Sequence, residues 1–309
     1  MSGVEIVKIK PEDDGIRLNR WFLKYYPGLS LGRLQKLLRT KQIKVNGVKT
    51  EANARLIVGQ EIRVPPLDNE KKVVVSGCIS ATDTKYINDM VIYKDENIIV
   101  LNKPSGLAVQ GGTNTSRHID GMLEALMFGN DEKPKLVHRI DKDTSGILVL
   151  ARNRKTADVL TKAFREHTLK KTYLALTRGV PAKDYGEIKA PLEKTDGRVQ
   201  VLEGGKPAVT EYEVLDNVGD KYALIEASPL TGRTHQIRAH LEYLGTPICG
   251  DDKYFGGERF KNSLIVHKLH LHAYKIDLSF IYGKKMIVKA KLPEYFRESL
   301  KILGINFRE

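Results

Sequence analysis

The sequence predicts an α+β protein with a mixed, largely antiparallel sheet, preceded by a small and strongly basic α/β domain. Three observations carry this expectation. Strand-like and helix-like runs follow one another without a regular βαβ rhythm, which disfavours a doubly wound parallel sheet. Charge is unevenly distributed: the net charge is +13, yet residues 16–66 alone hold eleven Lys and Arg against two acids. A polar, aperiodic stretch, residues 67–85, reads as a linker between that basic segment and the remainder.

The elements follow in order. Residues 1–15 read as an N-terminal extension. Its acids Glu5, Glu12, Asp13 and Asp14 give it neither the apolar stretch of a secretory signal nor the acid-poor character of a transit peptide. In the basic domain, 16–66, residues 17–25 and 30–40 read as two helices separated by Pro27-Gly28. Ser30 is a natural N-cap, and Leu31, Leu34, Leu37 and Leu38 recur at helical spacing to form a buried stripe. Arg33, Lys36 and Arg39 recur every three residues along another side of that helix. Residues 43–47 read as a strand running into an Asn46-Gly47 hairpin turn, and 59–64 as another strand. In the large domain, 86–309, strands are expected at 90–93, 98–101, 147–151, 173–177, 222–227 and 269–278, with helices at 157–166 and 234–243.

Composition narrows the function. Apolar residues make up 41% and charged residues 29%, a globular balance. No apolar run approaches the roughly 18 residues that would span a bilayer, so no membrane partner and a cytoplasmic location are expected. The positive charge makes a polyanion the leading class of partner, since counterion release drives association with phosphate backbones. Cys78 and Cys249 form no C-x-x-C pair and read as reduced thiols. The phosphate-binding, dinucleotide-binding, nucleophile-elbow and H-E-x-x-H patterns do not occur. His267, His270 and His272 lack a companion thiolate or carboxylate at ligand spacing, and in a strand His267 would face away from the other two. They read as structural, and no metal is expected.

The segment 136–150, Leu-Val-His-Arg-Ile-Asp-Lys-Asp-Thr-Ser-Gly-Ile-Leu-Val-Leu, is the most informative. A dense polar cluster runs directly into an apolar strand, which places it on a turn held by rigid elements. Taken alone, the cluster could equally be a hydrogen-bonded turn with no chemical role.

With its context, the segment resembles the H-R-L-D-x-x-T-S-G signature of the RluA family of pseudouridine synthases, with Ile140 in place of Leu. Four further segments agree in order and spacing: 98–106 (I-I-V-L-N-K-P-S-G), 171–176 (K-T-Y-L-A-L), 229–238 (P-L-T-G-R-T-H-Q-I-R) and 269–273 (L-H-L-H-A). The basic segment resembles the S4 RNA-binding domain, whose helix pair and V-N-G hairpin present a cationic face to structured RNA. Here Asn19 stands where that family usually has Asp, and Lys41 where it usually has Gly. Together the resemblances take in nearly the whole chain.

The resemblance implies a pseudouridine synthase fold with a catalytic cleft. The implied enzyme, free of cofactor or metal, breaks the N1–C1′ bond of a uridine, turns the base and rejoins it through C5. Asp141 matches the catalytic aspartate, acting on the sugar as nucleophile at C1′ or base at C2′. A buried carboxylate needs a neighbouring cation, and Arg233 matches the arginine that pairs with it. Tyr173 matches the aromatic that packs on the target base. Arg139 is placed to fill the space left when the nucleotide leaves its stack, and Leu271 matches an apolar lining residue. Arg33, Lys36, Arg39 and Lys44 are the candidate RNA contacts of the S4-like domain.

The stretch 106–113, with Gln110 where His is usual, is most similar to the RluC-type branch acting on 23S ribosomal RNA. A transfer RNA target, or a non-catalytic ribosome-assembly factor, is the alternative, and a monomer is expected.

Overall fold

A computed structural model describes residues 4–26, 28–67, 79–112, 115, 117–255 and 264–308. Pro27, most of the expected linker, Cys78 and Thr113 lie outside the described residues, as does the side chain of Leu31. The chain divides into two compact units, Met1–Cys78 and Ile79–Glu309.

In the first unit, β1 (Glu5–Lys8), α1 (Leu18–Tyr25), α2 (Leu31–Arg39), β2 (Lys44–Val45) and β3 (Glu61–Val64) form a three-stranded antiparallel sheet, ordered β1-β3-β2, with two helices. Trp21, Phe22, Leu34, Ile43 and Ile62 make its buried core. The supposed N-terminal extension is corrected here: its residues 5–8 form a sheet strand, with Glu5 opposite Val64 and Lys8 opposite Glu61. That ladder joins segments more than fifty residues apart, so local periodicity over four residues does not reveal it. Ser30 caps α2, accepting a hydrogen bond from the Arg33 amide at 3.2 Å.

At the other end of α2, the amides of Lys41 and Gln42 donate to the carbonyls of Leu38 and Leu37. This is a Schellman closure, which requires a left-handed residue, and Lys41 supplies it at φ 58°. The Asn46-Gly47 turn has φ 48° and 75°, as a type I′ hairpin demands.

The second unit opens with α3 (Ala81–Asn88), which corrects the linker expectation. Ser80 caps this helix by accepting from the Asp83 amide at 3.0 Å. Of its residues only Ile87 is buried, so it has too narrow an apolar stripe to stand out in sequence.

There follow β4 (Val91–Lys94), β5 (Ile98–Lys103), α4 (Ile119–Met122), β6 (Lys135–Leu136), β7 (Ser145–Ala151), α5 (Arg154–Arg165) and β8 (Lys171–Arg178). Next come β9 (Tyr185–Lys189), the hairpin β10 (Leu192–Thr195) and β11 (Arg198–Val201), β12 (Val209–Val218) and β13 (Tyr222–Pro229). The unit closes with α6 (Gln236–Tyr243), β14 (Leu271–Asp277), α7 (Ser279–Tyr282), β15 (Ile287–Lys289) and α8 (Glu294–Leu303).

The main sheet runs β4-β5-β7-β14-β8-β13-β12-β9, with β6 beside β7 and β15 beside β14. Its β7–β14 pair is parallel and its other pairs are antiparallel, so the sheet is mixed and largely antiparallel as expected. Strand β7 is buried throughout: Ile147 and Val149 join one core cluster, and Leu148 and Leu150 another on the opposite face. This explains the unbroken apolar run that follows the polar cluster. Gly146 has φ 105°, and a Cβ there would lie 2.3 Å from the Ala273 carbonyl oxygen. The signature glycine is thus fixed by the close approach of β14.

A candidate active site at the start of β7

Asp141 sits in the loop between β6 and β7, held from several sides. The ammonium of Lys103, at the end of β5, is fully buried and donates to the carbonyls of Pro104, Leu107 and Lys142 at 2.9, 2.8 and 2.8 Å. The Gly106 amide also donates to Lys142 O, and Ser105 Oγ donates to Asp143 O at 2.7 Å. Burial pulls the Lys103 ammonium down to about 7, and the carboxylates of Asp143 and Asp141 oppose that shift. The amide of Val149 donates to His138 Nε2 at 2.8 Å, and the His138 ring stacks on Phe164 at 4.0 Å. Desolvation, with Lys171 adding to it, brings that imidazole down to about 3, so it is neutral at ordinary pH.

The second half of the site is the segment leading into α6. Gln236 organises it: its Oε1 accepts from Thr231 Oγ1 at 2.7 Å and from the Arg233 amide at 3.1 Å. Its Nε2 donates to Val209 O and Thr210 Oγ1 at 2.8 and 2.9 Å. So anchored, the turn carries His235 at φ 52° as the residue before the helix, and Arg238 in the first turn. His235 Nε2 lies 3.5 Å and Arg238 Nη1 3.6 Å from Asp141 Oδ2. Arg238 also makes a two-point contact with Asp251 through Nε and Nη2, both at 2.7 Å.

Asp141, His138, His235, Gln236 and Arg238 line a cleft of about 660 Å³. Asp141, Arg139, Tyr173, Arg233 and Leu271, drawn from four separate sequence motifs, all border it. Asp141 is the one carboxylate among the described residues that line it, and its side chain is 25% exposed. Tyr173, on β8, is half-buried; burial and the charge of Asp141 push its hydroxyl well above the usual phenol range, so it stays protonated. Leu271, at the start of β14, is buried, whereas Arg139 is exposed at the mouth.

The expected pairing of Asp141 with Arg233 is corrected. Among the described residues the cation paired with Asp141 is Arg238, with the His235 ring on the same oxygen, while the exposed Arg233 donates from Nε to Pro207 O at 3.2 Å. Arg233 precedes the helix and follows the turn outward, whereas Arg238, in the first turn of α6, projects back to the β6–β7 loop. Both arginines stand in one motif, and although a helix is expected from 234, the direction in which each side chain leaves the backbone is not written in the sequence. Lys103, His235, Arg238 and Asp251 were therefore given no role by sequence, although the first three lie within recognised motifs.

Of the candidate RNA contacts in the first unit, Arg33, Lys36 and Arg39 are exposed on α2 and Lys44 is half-buried on β2. Other cations there serve the fold: Arg55 and Arg63 donate to the carbonyls of Gly15 and Gln42. The histidines near β14 have structural partners. His270 Nε2 lies 2.8 Å from Ser299 Oγ, His272 Nδ1 lies 2.9 Å from Ser145 Oγ, and His267 pairs with Asp252 at 2.8 Å. Among the described residues no cluster of three His, Cys, Asp or Glu could hold a metal ion, and no helix is long and apolar enough to cross a membrane.

Comparison with known proteins agrees with this geometry. Residues 97–243 match the family model described as RNA pseudouridylate synthase. A Rickettsia bellii protein named ribosomal large subunit pseudouridine synthase C is 40% identical over 291 residues, covering 91% of this chain and 95% of that one. A Vibrio vulnificus protein of the same name is 36% identical over 281 residues, covering 88% of each. Among solved structures, human RNA pseudouridylate synthase domain containing 4 superposes with a TM-score of 0.63 at 30% identity, covering 73% of this chain and 97% of that one. With Asp141 set in its cleft and relatives of this kind along nearly its full length, the chain belongs to the RluA-type family of RNA pseudouridine synthases and is an isomerase.

Proposed function

We propose that this protein isomerises specific uridines of large-subunit (23S) ribosomal RNA, with Asp141 as the catalytic residue. The observation that carries the reading is a carboxylate, the one among the described lining residues, in a cleft that cations also line, flanked at 3.5 and 3.6 Å by His235 and Arg238. Such a group can act on ribose at C1′ or C2′ while the N1–C1′ bond breaks. Joining C5 to C1′ then releases the C5 proton to solvent. The uridine must leave its stack to reach that carboxylate, at a cost of a few kcal/mol. Arg139 at the mouth is suited to occupy the vacated space, and Tyr173, with its proton retained, to pack on the base and donate to it. Leu271 supplies an apolar wall. Arg233 is suited to a phosphate beside the target rather than to Asp141.

The choice of ribosomal RNA is supported by the names of the relatives and by the cationic first unit, read as an S4-like domain in which Arg33, Lys36, Arg39 and Lys44 contact the backbone. The chain then works as a monomer in the cytoplasm, where ribosomes are assembled. A non-catalytic assembly factor would leave the grouping of Asp141, Tyr173 and Arg238 without a purpose.

The test is to map pseudouridines in ribosomal and transfer RNA from cells carrying the native gene, no gene, or Asp141→Asn. Sites in 23S RNA that vanish both without the gene and with Asp141→Asn are expected. Loss confined to transfer RNA would overturn the substrate assignment, and sites that persist with Asp141→Asn would overturn the role of the aspartate.

A further inference from the structure

The imidazole of His235 is held between two oxygens. Its Nε2 lies 3.5 Å from Asp141 Oδ2, and its Nδ1 lies 2.9 Å from the hydroxyl of Tyr254. Tyr254 is fully buried, and its ring meets that of His235 edge to face at 5.5 Å. The Val199 amide donates to the same hydroxyl at 3.1 Å. One lone pair of that oxygen is therefore taken, and its own proton needs an acceptor. His235 Nδ1 is the acceptor within reach among the described residues. Burial pushes the Tyr254 phenol upward, so the proton stays on oxygen.

The opposite tautomer is doubly unfavourable. With the proton on Nδ1, the tyrosine proton would face another proton, and a bare Nε2 lone pair would face a carboxylate. Resting on the reading of Asp141 as the catalytic group, we propose that Tyr254 and His235 are a positioning pair: the tyrosine hydroxyl donates to Nδ1, fixes the Nε2–H tautomer and thereby gives Asp141 a second donor beside Arg238. The 3.5 Å separation is long for a formed hydrogen bond, and such contacts tighten as the reacting complex assembles. The same tyrosine ring also lies under the Arg238 guanidinium, at 4.8 Å from its centroid. One buried side chain thus sets both partners of Asp141, and Tyr254→Phe deletes the hydroxyl while leaving the ring beneath the arginine.

The charged groups around the imidazole fix how the pair responds to pH. Asp141 and Asp251 favour the imidazolium, while Arg238 and Lys253 disfavour it. Burial, the largest effect, holds His235 below the ordinary imidazole value, and it is neutral near pH 7. An imidazolium carries a proton on Nε2 whatever faces Nδ1, so acid makes the tyrosine dispensable.

The experiment follows release of tritium from C5-labelled uridine in RNA by native protein, Tyr254→Phe and Asp141→Asn across pH, together with ring-nitrogen NMR of isotope-labelled histidine. The His235 signals are identified by their loss in His235→Asn. The native protein is expected to show His235 as the Nε2–H tautomer. Tyr254→Phe should lower kcat roughly ten-fold at alkaline pH with KM unchanged, and the deficit should close as pH falls through the imidazole titration. A deficit independent of pH, or native His235 protonated on Nδ1, overturns the proposal. The tautomer decides the matter if Tyr254→Phe does not fold. An active Asp141→Asn would instead sink the catalytic assignment on which the proposal rests, so the two failures are told apart.

Discussion

Replacing Arg238 with Gln separates the two tasks that this guanidinium performs. Toward Asp251 it makes two bonds of 2.7 Å to a carboxylate whose side chain is entirely buried. Removing one partner of a buried ion pair costs about 3–5 kcal/mol, because the other charge is left without compensation. Asp251 keeps hydrogen bonds from the amides of Lys253 and Tyr254 at 3.1 and 3.2 Å, which places the expected loss near the lower end. For a unit of this size, about 3 kcal/mol lowers Tm by roughly 6–12 °C.

Toward Asp141 the guanidinium stands at 3.6 Å. At an effective dielectric near 20 that attraction is about 4–5 kcal/mol, an upper limit because Asp141 is partly solvated. Losing about half of it gives roughly a fifty-fold fall in kcat. Thermal unfolding and tritium release measure the two effects. Adding Asp251→Asn to Arg238→Gln replaces the orphaned charge with a neutral amide, so the double variant should recover about 2 kcal/mol of stability. Its kcat should remain low, since Asp141 still lacks its cation. Recovery of native kcat in the double variant would refute the reasoning, for it would mean that the activity lost in Arg238→Gln was only lost folding.

Three further outcomes are expected. Gly146→Ala should cost more than about 4 kcal/mol, or prevent folding, because its Cβ would overlap the Ala273 carbonyl at 2.3 Å and the residue sits at φ 105°; denaturant midpoints measure this. Lys41→Gly should stabilise by about 0.5–1 kcal/mol, the left-handed strain it relieves exceeding the entropy that glycine loses on folding, as thermal unfolding would show.

Stability should also fall in acid through His270 and His272, which burial holds at about 4 each. Unfolding frees both to titrate near 6.5, so the unfolded state binds more protons. Their contribution is fully present above about pH 6.5 and is lost as pH falls toward 4, at up to roughly 3 kcal/mol per pH unit for the pair. Urea unfolding across that range measures the slope, and replacing His272 with Asn should reduce it.

Much of the fold was legible because its signals are local. The cap at Ser30, the Asn46-Gly47 turn and the apolar run from Ile147 to Leu150 declare themselves over a few residues, and the structure forms an element at each. Strand β1 and helix α3 were missed for opposite reasons. The first exists only through its ladder with β3, and the second buries little beyond Ile87. Ser80 with Asp83 three residues on was a readable capping signal for the second. Between residues 178 and 221, alternation along Val209–Val218 was a usable sign of β12, which pairs with both β9 and β13.

By itself the sequence determined the chemistry: an aspartate in a polar turn before an apolar strand, with a tyrosine and a pair of arginines in separate motifs, in the order of an RNA-modifying family. Those facts survive in a linear string because residue identity and spacing carry them. Only the tertiary structure decided which arginine meets Asp141, that Lys103 is buried as a clamp on the Asp141 loop, and that Tyr254 stands behind His235. These are matters of direction between residues that stand from 19 to about a hundred positions apart in the chain. The φ of 52° at His235 and the turn of helix after it set where each side chain points, and no local pattern encodes what lies on the far side of a cleft.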